Sequence, residues 1–105
     1  LVGSTTFTNA RVILPDGVRP DSSLTVENGR IREPAPGDTV VDLEGNYLAP
    51  GFIDLHVHGG DGADFMDLTP EAFRTVCRCH ARHGTTSLTP TSTVATYQQY
   101  VRFLE

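Results

Sequence analysis

Two histidines stand one residue apart in "GFIDLHVHGGDG", residues 51–62. Imidazole is the commonest protein ligand for metals, and two rings on one strand face can both reach a single ion. Side chains alternate across a strand, so His56 and His58 share a side with Phe52 and Asp54, while Ile53, Leu55 and Val57 take the other. The second face is apolar throughout and is expected to pack on helices. The first turns from apolar to polar along the strand. Three polar groups on such a face must be hydrogen-bonded, ion-paired or metal-bound, since leaving each unpaired in a buried setting costs roughly 1–3 kcal/mol. Two readings follow: a metal-binding pair, or a polar pair at the end of a sheet. The surroundings favour the metal. The pair closes an apolar strand, carries an Asp on its own face and runs straight into Gly59-Gly60. Glycines lack β-carbons and let backbone approach a ligand, so Gly59 and Gly60 form a candidate active-site loop. Asp54 lies one step deeper and is a candidate outer partner of the two ligands.

The other reactive side chains have plainer readings. His80 and His83 are three apart on a helical segment, a spacing compatible with a metal pair. His80 falls on the apolar stripe and His83 sits at the helix end, so packing and the helix dipole explain both. Cys77 and Cys79 point to nearly opposite sides of the same helix, which argues against a mutual disulfide and against a shared metal. The Thr-rich run from Thr85 to Thr93 reads as strand and strand end. No phosphate loop, Ser-His-Asp order or reactive-cysteine setting is present.

The elements that must position the histidines can be read from pattern. Val12-Ile13-Leu14 is a short strand closed by Pro15-Asp16-Gly17. "SLTVENGRIRE" alternates around Asn28-Gly29, the strongest short hairpin signal, because both turn positions need φ > 0. A further strand is expected around Val40 to Leu43, before a turn at Glu44-Gly45-Asn46. Residues 4–49 thus read as a small antiparallel β unit, structural in role, its charged residues on solvated faces and in turns. "REPAPGDTV" reads as a variable loop.

The rhythm then changes to β-α-β-α, the order of a parallel sheet flanked by helices. "GFIDLHVH" is the first strand. "TPEAFRTVCRCHARHG" is a helix, with Thr69 as N-cap, Pro70 at the first position, Glu71 near the positive end and Gly84 as the stop. Phe73, Val76, Cys77 and His80 form its apolar stripe; Arg74, Arg78 and Arg82 form a solvated face. "TTSLTPTSTV" holds the second strand. "TYQQYVRFLE" opens a second helix, with Thr96 and Gln99 at capping-box spacing and a stripe of Tyr97, Tyr100, Val101 and Leu104. A (β/α)8 barrel accounts for the polar face of the first strand, because there one face of each strand points into the lumen and C-terminal strand ends build the active site.

Bulk properties narrow the function classes. The chain has 105 residues with 8 Lys+Arg against 13 Asp+Glu, a formal charge of −5. That balance argues against a nucleic-acid partner, which requires a basic face. The apolar runs are far too short to span a bilayer, so no membrane role is expected, and no secretory signal pattern occurs. Two cysteines without a bridge suggest a reducing compartment, hence the cytoplasm. The first residue is Leu1 and the last ones, "YVRFLE", lie inside a helical pattern; the chain is expected to be a piece of a longer protein. Two βα units do not close a barrel, so the piece alone is expected to aggregate and to lack activity.

"LAPGFIDLHVHGG", preceded in order by "NGRI" and "VVDLEGNYLAPG", resembles the first barrel strand of the amidohydrolase superfamily with its H-x-H metal motif. The segments "HVHGGDGADFMDLTPEAF" and "HARHGTTSLTPTSTVA" are most similar to its deacetylases of phosphorylated amino sugars. The resemblance covers nearly the whole chain. It implies an α/β protein: a β-sandwich portion over residues 1–49, then the first two βα units of the barrel over 50–105. It implies a divalent metal, zinc or iron, as one or two ions, held in part by His56 and His58. Some members replace this pair and keep one metal, so both histidines suggest room for two. The implied reaction is hydrolysis of an acetamide to acetate and free amine on a small phosphorylated amino sugar, by a homodimer. The family's remaining ligands and catalytic Asp would lie beyond Glu105. Asp61 departs from the pattern, where Gly is frequent, and reads as a solvent-facing residue. Alternatives are a cyclic-amide or N-acyl amino-acid hydrolase of the same superfamily, or a β-rich binding module if the native chain ends at Glu105.

Overall fold

The computed structural model describes residues 3–35 and 39–105. The chain divides into two compact units, Leu1–Pro50 and Gly51–Glu105.

The first unit is one five-stranded sheet. Strands β1 (Ser4–Leu14), β2 (Gly17–Glu27) and β3 (Arg30–Arg32) form an antiparallel meander. Asn28 and Gly29 both take positive φ, 50° and 74°, as the two-residue hairpin turn demands. Strands β4 (Thr39–Asp42) and β5 (Tyr47–Leu48) pair with the other side of β1, and both run parallel to it. The expected antiparallel β-sandwich portion is therefore corrected to a single mixed sheet, ordered β3-β2-β1-β4 with β5 also on β1. The reason is direction: β3 already runs parallel to β1, and β4 repeats that direction on the opposite side. Alternation within a strand is the same for either direction, so it carries no trace of this choice. The buried centre includes Ala10 and Val12 together with Thr6 and Thr25, whose hydroxyls meet across the β1–β2 pair at 2.7 Å. Arg32 ties the strands at one end, donating to Glu27 Oε2 and Ser4 Oγ, both at 2.8 Å. In the "REPAPGDTV" loop, residues 36–38 lie outside the described residues.

The second unit follows the expected β-α-β-α order. Strand β6 (Phe52–Val57) pairs in parallel with β9 (Thr85–Pro90), and helix α1 (Pro70–Arg82) lies between them in sequence. Helix α2 (Tyr97–Leu104) follows. Both caps are as the sequence predicts. Thr69 accepts from Ala72 N, and Thr96 and Gln99 exchange side-chain bonds with each other's backbone. Val57, Phe65 and Val76 form the core, with Ala63, Cys77, Leu88 and Phe103 packed against it. The apolar stripes are only partly buried. On α1, Phe73 is half exposed and rests against Phe65 with the rings tilted at 55°, while Ala72 and Val76 are buried. On α2, Phe103 makes the core contact; Tyr97 and Leu104, expected on the stripe, are exposed. Of the odd face of β6 only Val57 is buried; Ile53 and Leu55 are 69% and 75% exposed.

Between β6 and α1 the chain makes a tight hairpin, β7 (Gly59–Gly60) against β8 (Ala63–Asp64), then one 3₁₀ turn, Phe65–Asp67. The hairpin turn is Asp61-Gly62, both at positive φ, 53° and 77°. Asp61 does not simply face solvent: its carboxylate pairs with the Arg82 guanidinium at the end of α1. A β-carbon on Gly59 would lie 2.3 Å from the Ala63 carbonyl oxygen, and one on Gly60 3.0 Å from Cys79 Sγ. These glycines thus have a packing reason as well as the freedom of approach read from sequence.

Two outcomes follow from this packing. Gly59→Ala forces the hairpin open or overpacks it, and should lower unfolding stability by about 1–3 kcal/mol in denaturant melts. Gly62→Ala adds no clash and tests turn strain alone. The 105-residue chain expressed by itself should bind an apolar dye and elute as soluble aggregates, because β6 exposes large apolar side chains on both faces, Ile53 and Leu55 on one and Phe52 on the other. A monomeric peak with cooperative unfolding would contradict this.

Candidate metal centre

His56 and His58 project to the same side, as alternation requires, and their Nε2 atoms lie 3.0 Å apart. The rings meet edge to face, centroids 4.8 Å apart and planes at 71°. Both side chains are exposed. Two nitrogens each about 2.0–2.1 Å from one zinc ion and about 90–109° apart stand about 2.8–3.4 Å from each other. The observed separation falls in that range, so the spacing of the two nitrogens is one that a shared divalent ion can span.

The second ring nitrogen of His58 has a definite partner. His58 Nδ1 lies 3.0 Å from the carbonyl oxygen of Thr91. A carbonyl only accepts, so Nδ1 carries the hydrogen and Nε2 of the neutral ring is left with its lone pair, the form in which imidazole binds metal. Thr91 is thus part of the site's framework. The Thr-rich segment hinted only at strand structure, and the contact joins residues just past the ends of β6 and β9 that no local pattern links.

Asp54 sits half buried on the same side of β6, and its Oδ1 accepts from the backbone N–H of His56 at 3.1 Å. The carboxylate therefore braces the backbone at His56, and the imidazole is reached only through that backbone. Gly59 and Gly60 lie directly after the pair, half buried in the hairpin. The Gly59 carbonyl accepts from His80 Nε2 at 3.2 Å. That bond places the proton of the neutral His80 ring on Nε2, in keeping with a packed histidine, and His83 is exposed at the helix C-cap. Cys77 and Cys79 are free thiols.

Among the described residues, no three His, Cys, Asp or Glu side chains come together to hold an ion. His56 and His58 could supply two ligands, where a catalytic zinc takes three from protein. Also among the described residues, no helix is long and apolar enough to cross a membrane.

Comparison with known proteins places this geometry. The sequence model of the amidohydrolase family matches residues 47–105, which include β6, the histidine pair and both helices. The chain is 36% identical over 87 residues to an N-acetylgalactosamine-6-phosphate deacetylase of Escherichia coli O157:H7, covering 81% of this chain and 23% of that protein. It is 36% identical over 109 residues to an N-acetylglucosamine-6-phosphate deacetylase of Mus musculus, covering 93% and 26%. In structure it resembles N-acetylglucosamine-6-phosphate deacetylase from Pasteurella multocida, with a TM-score of 0.88 and 25% identity, over 96% of this chain and 28% of that one. The chain spans about a quarter of the length of these relatives. With more than half of its residues matched to the family, the chain belongs to the amidohydrolases.

Proposed function

We propose that this chain supplies the first metal ligands of an enzyme that hydrolyses the acetamide of N-acetylglucosamine 6-phosphate, releasing acetate and glucosamine 6-phosphate. The observation that carries the reading is the convergence of His56 and His58 Nε2 at 3.0 Å, at the end of a strand within the family-matched segment. Two relatives named as deacetylases of phosphorylated N-acetyl amino sugars support the substrate class.

In this reading β6 and β9 are the first two strands of a (β/α)8 barrel, and residues 50–105 are its beginning. His56 and His58 are metal ligands, Asp54 steadies the strand that bears them, and Gly59-Gly60 forms the adjoining wall of the site. A divalent ion, when bound, supplies Lewis acidity toward the amide carbonyl and makes water a competent nucleophile near neutral pH. The two histidines hold and orient; neither is assigned the proton transfers. Two ligands make only part of a site, so the activity belongs to a protein that carries this chain together with the missing ligands.

The test uses that longer protein. It should release acetate from N-acetylglucosamine 6-phosphate faster than from the galacto epimer, and lose activity on chelation. His56→Ala combined with His58→Ala should lower metal per subunit and cut kcat/KM by more than about 100-fold, since even outer-shell partners of such ligands are worth about 10–100-fold. Unchanged metal content in the double variant would sink the ligand assignment. Preference for the galacto epimer would move the substrate to the other hexosamine.

A further inference from the structure

We infer that Thr91 is the positioning residue of the histidine pair: its carbonyl sets the tautomer of His58, and its hydroxyl sets the carbonyl. The inference rests on the metal-ligand reading of His56 and His58 and deepens it.

His58 lies one residue past the end of β6, so the strand ladder itself does not hold it. Val57, the last residue of β6, faces Pro90, the last residue of β9. In a parallel ladder the bonds of a residue run to the two neighbours of the residue it faces, so the bonds of Val57 run to Thr89 and Thr91 rather than to Pro90. The Thr91 N–H donates to the Val57 carbonyl at 2.8 Å. The Thr91 hydroxyl then joins the same exchange from the other side. Its Oγ1 accepts from the Val57 N–H at 3.2 Å and donates to the Thr89 carbonyl at 3.2 Å. Both backbone groups of Val57 thus end on Thr91, and the side chain of Val57 is anchored in the core. The Thr91 carbonyl, held by these bonds, receives His58 Nδ1–H at 3.0 Å.

Each link has a chemical consequence. The carbonyl forces the proton of neutral His58 onto Nδ1 and leaves the Nε2 lone pair directed at His56 Nε2. The hydroxyl fixes how far the carbonyl stands from the ring, because it bridges β6 and β9 where their register is irregular, between Asp54 and Val57. A valine has the same shape but no hydroxyl, and would leave the Val57 N–H without that acceptor. A serine keeps the hydroxyl. Thr91 acts through His58 and is not itself assigned a contact with metal or substrate.

The experiment uses the complete metal-stripped protein and zinc ion as the probe. Thr91→Val should weaken zinc binding, read by chelator competition, by about 10–100-fold, the range for partners that orient a ligand. Thr91→Ser should bind within about threefold of the parent, because it keeps the bond that matters. At mildly alkaline pH, ¹⁵N spectra should show metal-free His58, assigned through its loss in His58→Ala, protonated at Nδ1 in the parent and in Thr91→Ser. Parental zinc affinity in a folded Thr91→Val protein overturns the proposal, and so does a proton on His58 Nε2 in the parent. If Thr91→Val does not fold, the parent and Thr91→Ser tautomers decide the question alone. Failure here is distinct from failure of the ligand reading, which would show as full zinc content in the double-histidine variant.

Discussion

The parallel pairing of β6 with β9 is the constraint on which the rest of the second unit depends. Parallel strands cannot be joined by a tight turn, so the chain must leave β6, cross over through α1 and return. That requirement explains the capped helix between the strands, and it brings Val76 from the helix onto Val57 from the strand. Only the C-terminal end of β6 is buried in this way; Ile53 and Leu55, earlier on the same face, are exposed. The strand is thus most firmly held beside the histidines. Close approach of the two strands at the opposite end has its own cost: a β-carbon on Gly51 would fall 2.1 Å from Thr86 Cγ2. A glycine is required there by a side chain on the partner strand.

How much of this was legible in sequence divides along the distance over which each interaction acts. The caps at Thr69 and Thr96 and the Asn28-Gly29 turn were readable because each is local chemistry, completed within three or four residues. The order β-α-β-α was readable because period changes along the chain. The direction of β4 and β5 was not, since parallel and antiparallel strands show the same alternation. The histidine pair was visible as two residue types at spacing two, and alternation placed both on one side. Its 3.0 Å separation and the bond from His58 to Thr91 were not visible. Nor was the pairing of Asp61 with Arg82, since an exposed acid and an exposed base on separate elements look alike whether paired or solvated. On α2 the stripe Tyr97, Tyr100, Val101, Leu104 was a true helical face, but Phe103 is the side chain that packs against the core. Periodicity identifies faces; it does not rank them when more than one is apolar.

The hydrogen bonds around the pair also imply an asymmetry between its members. In the neutral, metal-free pair, His58 spends its proton on the Thr91 carbonyl, so the contact between the two Nε2 atoms must use a proton on His56. His58 already has the tautomer that a metal requires at Nε2. His56 does not: to bind through the same nitrogen, its proton must move to Nδ1. The backbone of His56 is meanwhile braced by Asp54, which leaves its ring free to exchange protons without displacing the strand. Under the proposed metal-ligand reading, His58 is thus preset and His56 would be adjusted on binding. The hydrogen bond that holds the rings together without an ion keeps the two nitrogens at a spacing that one ion could span.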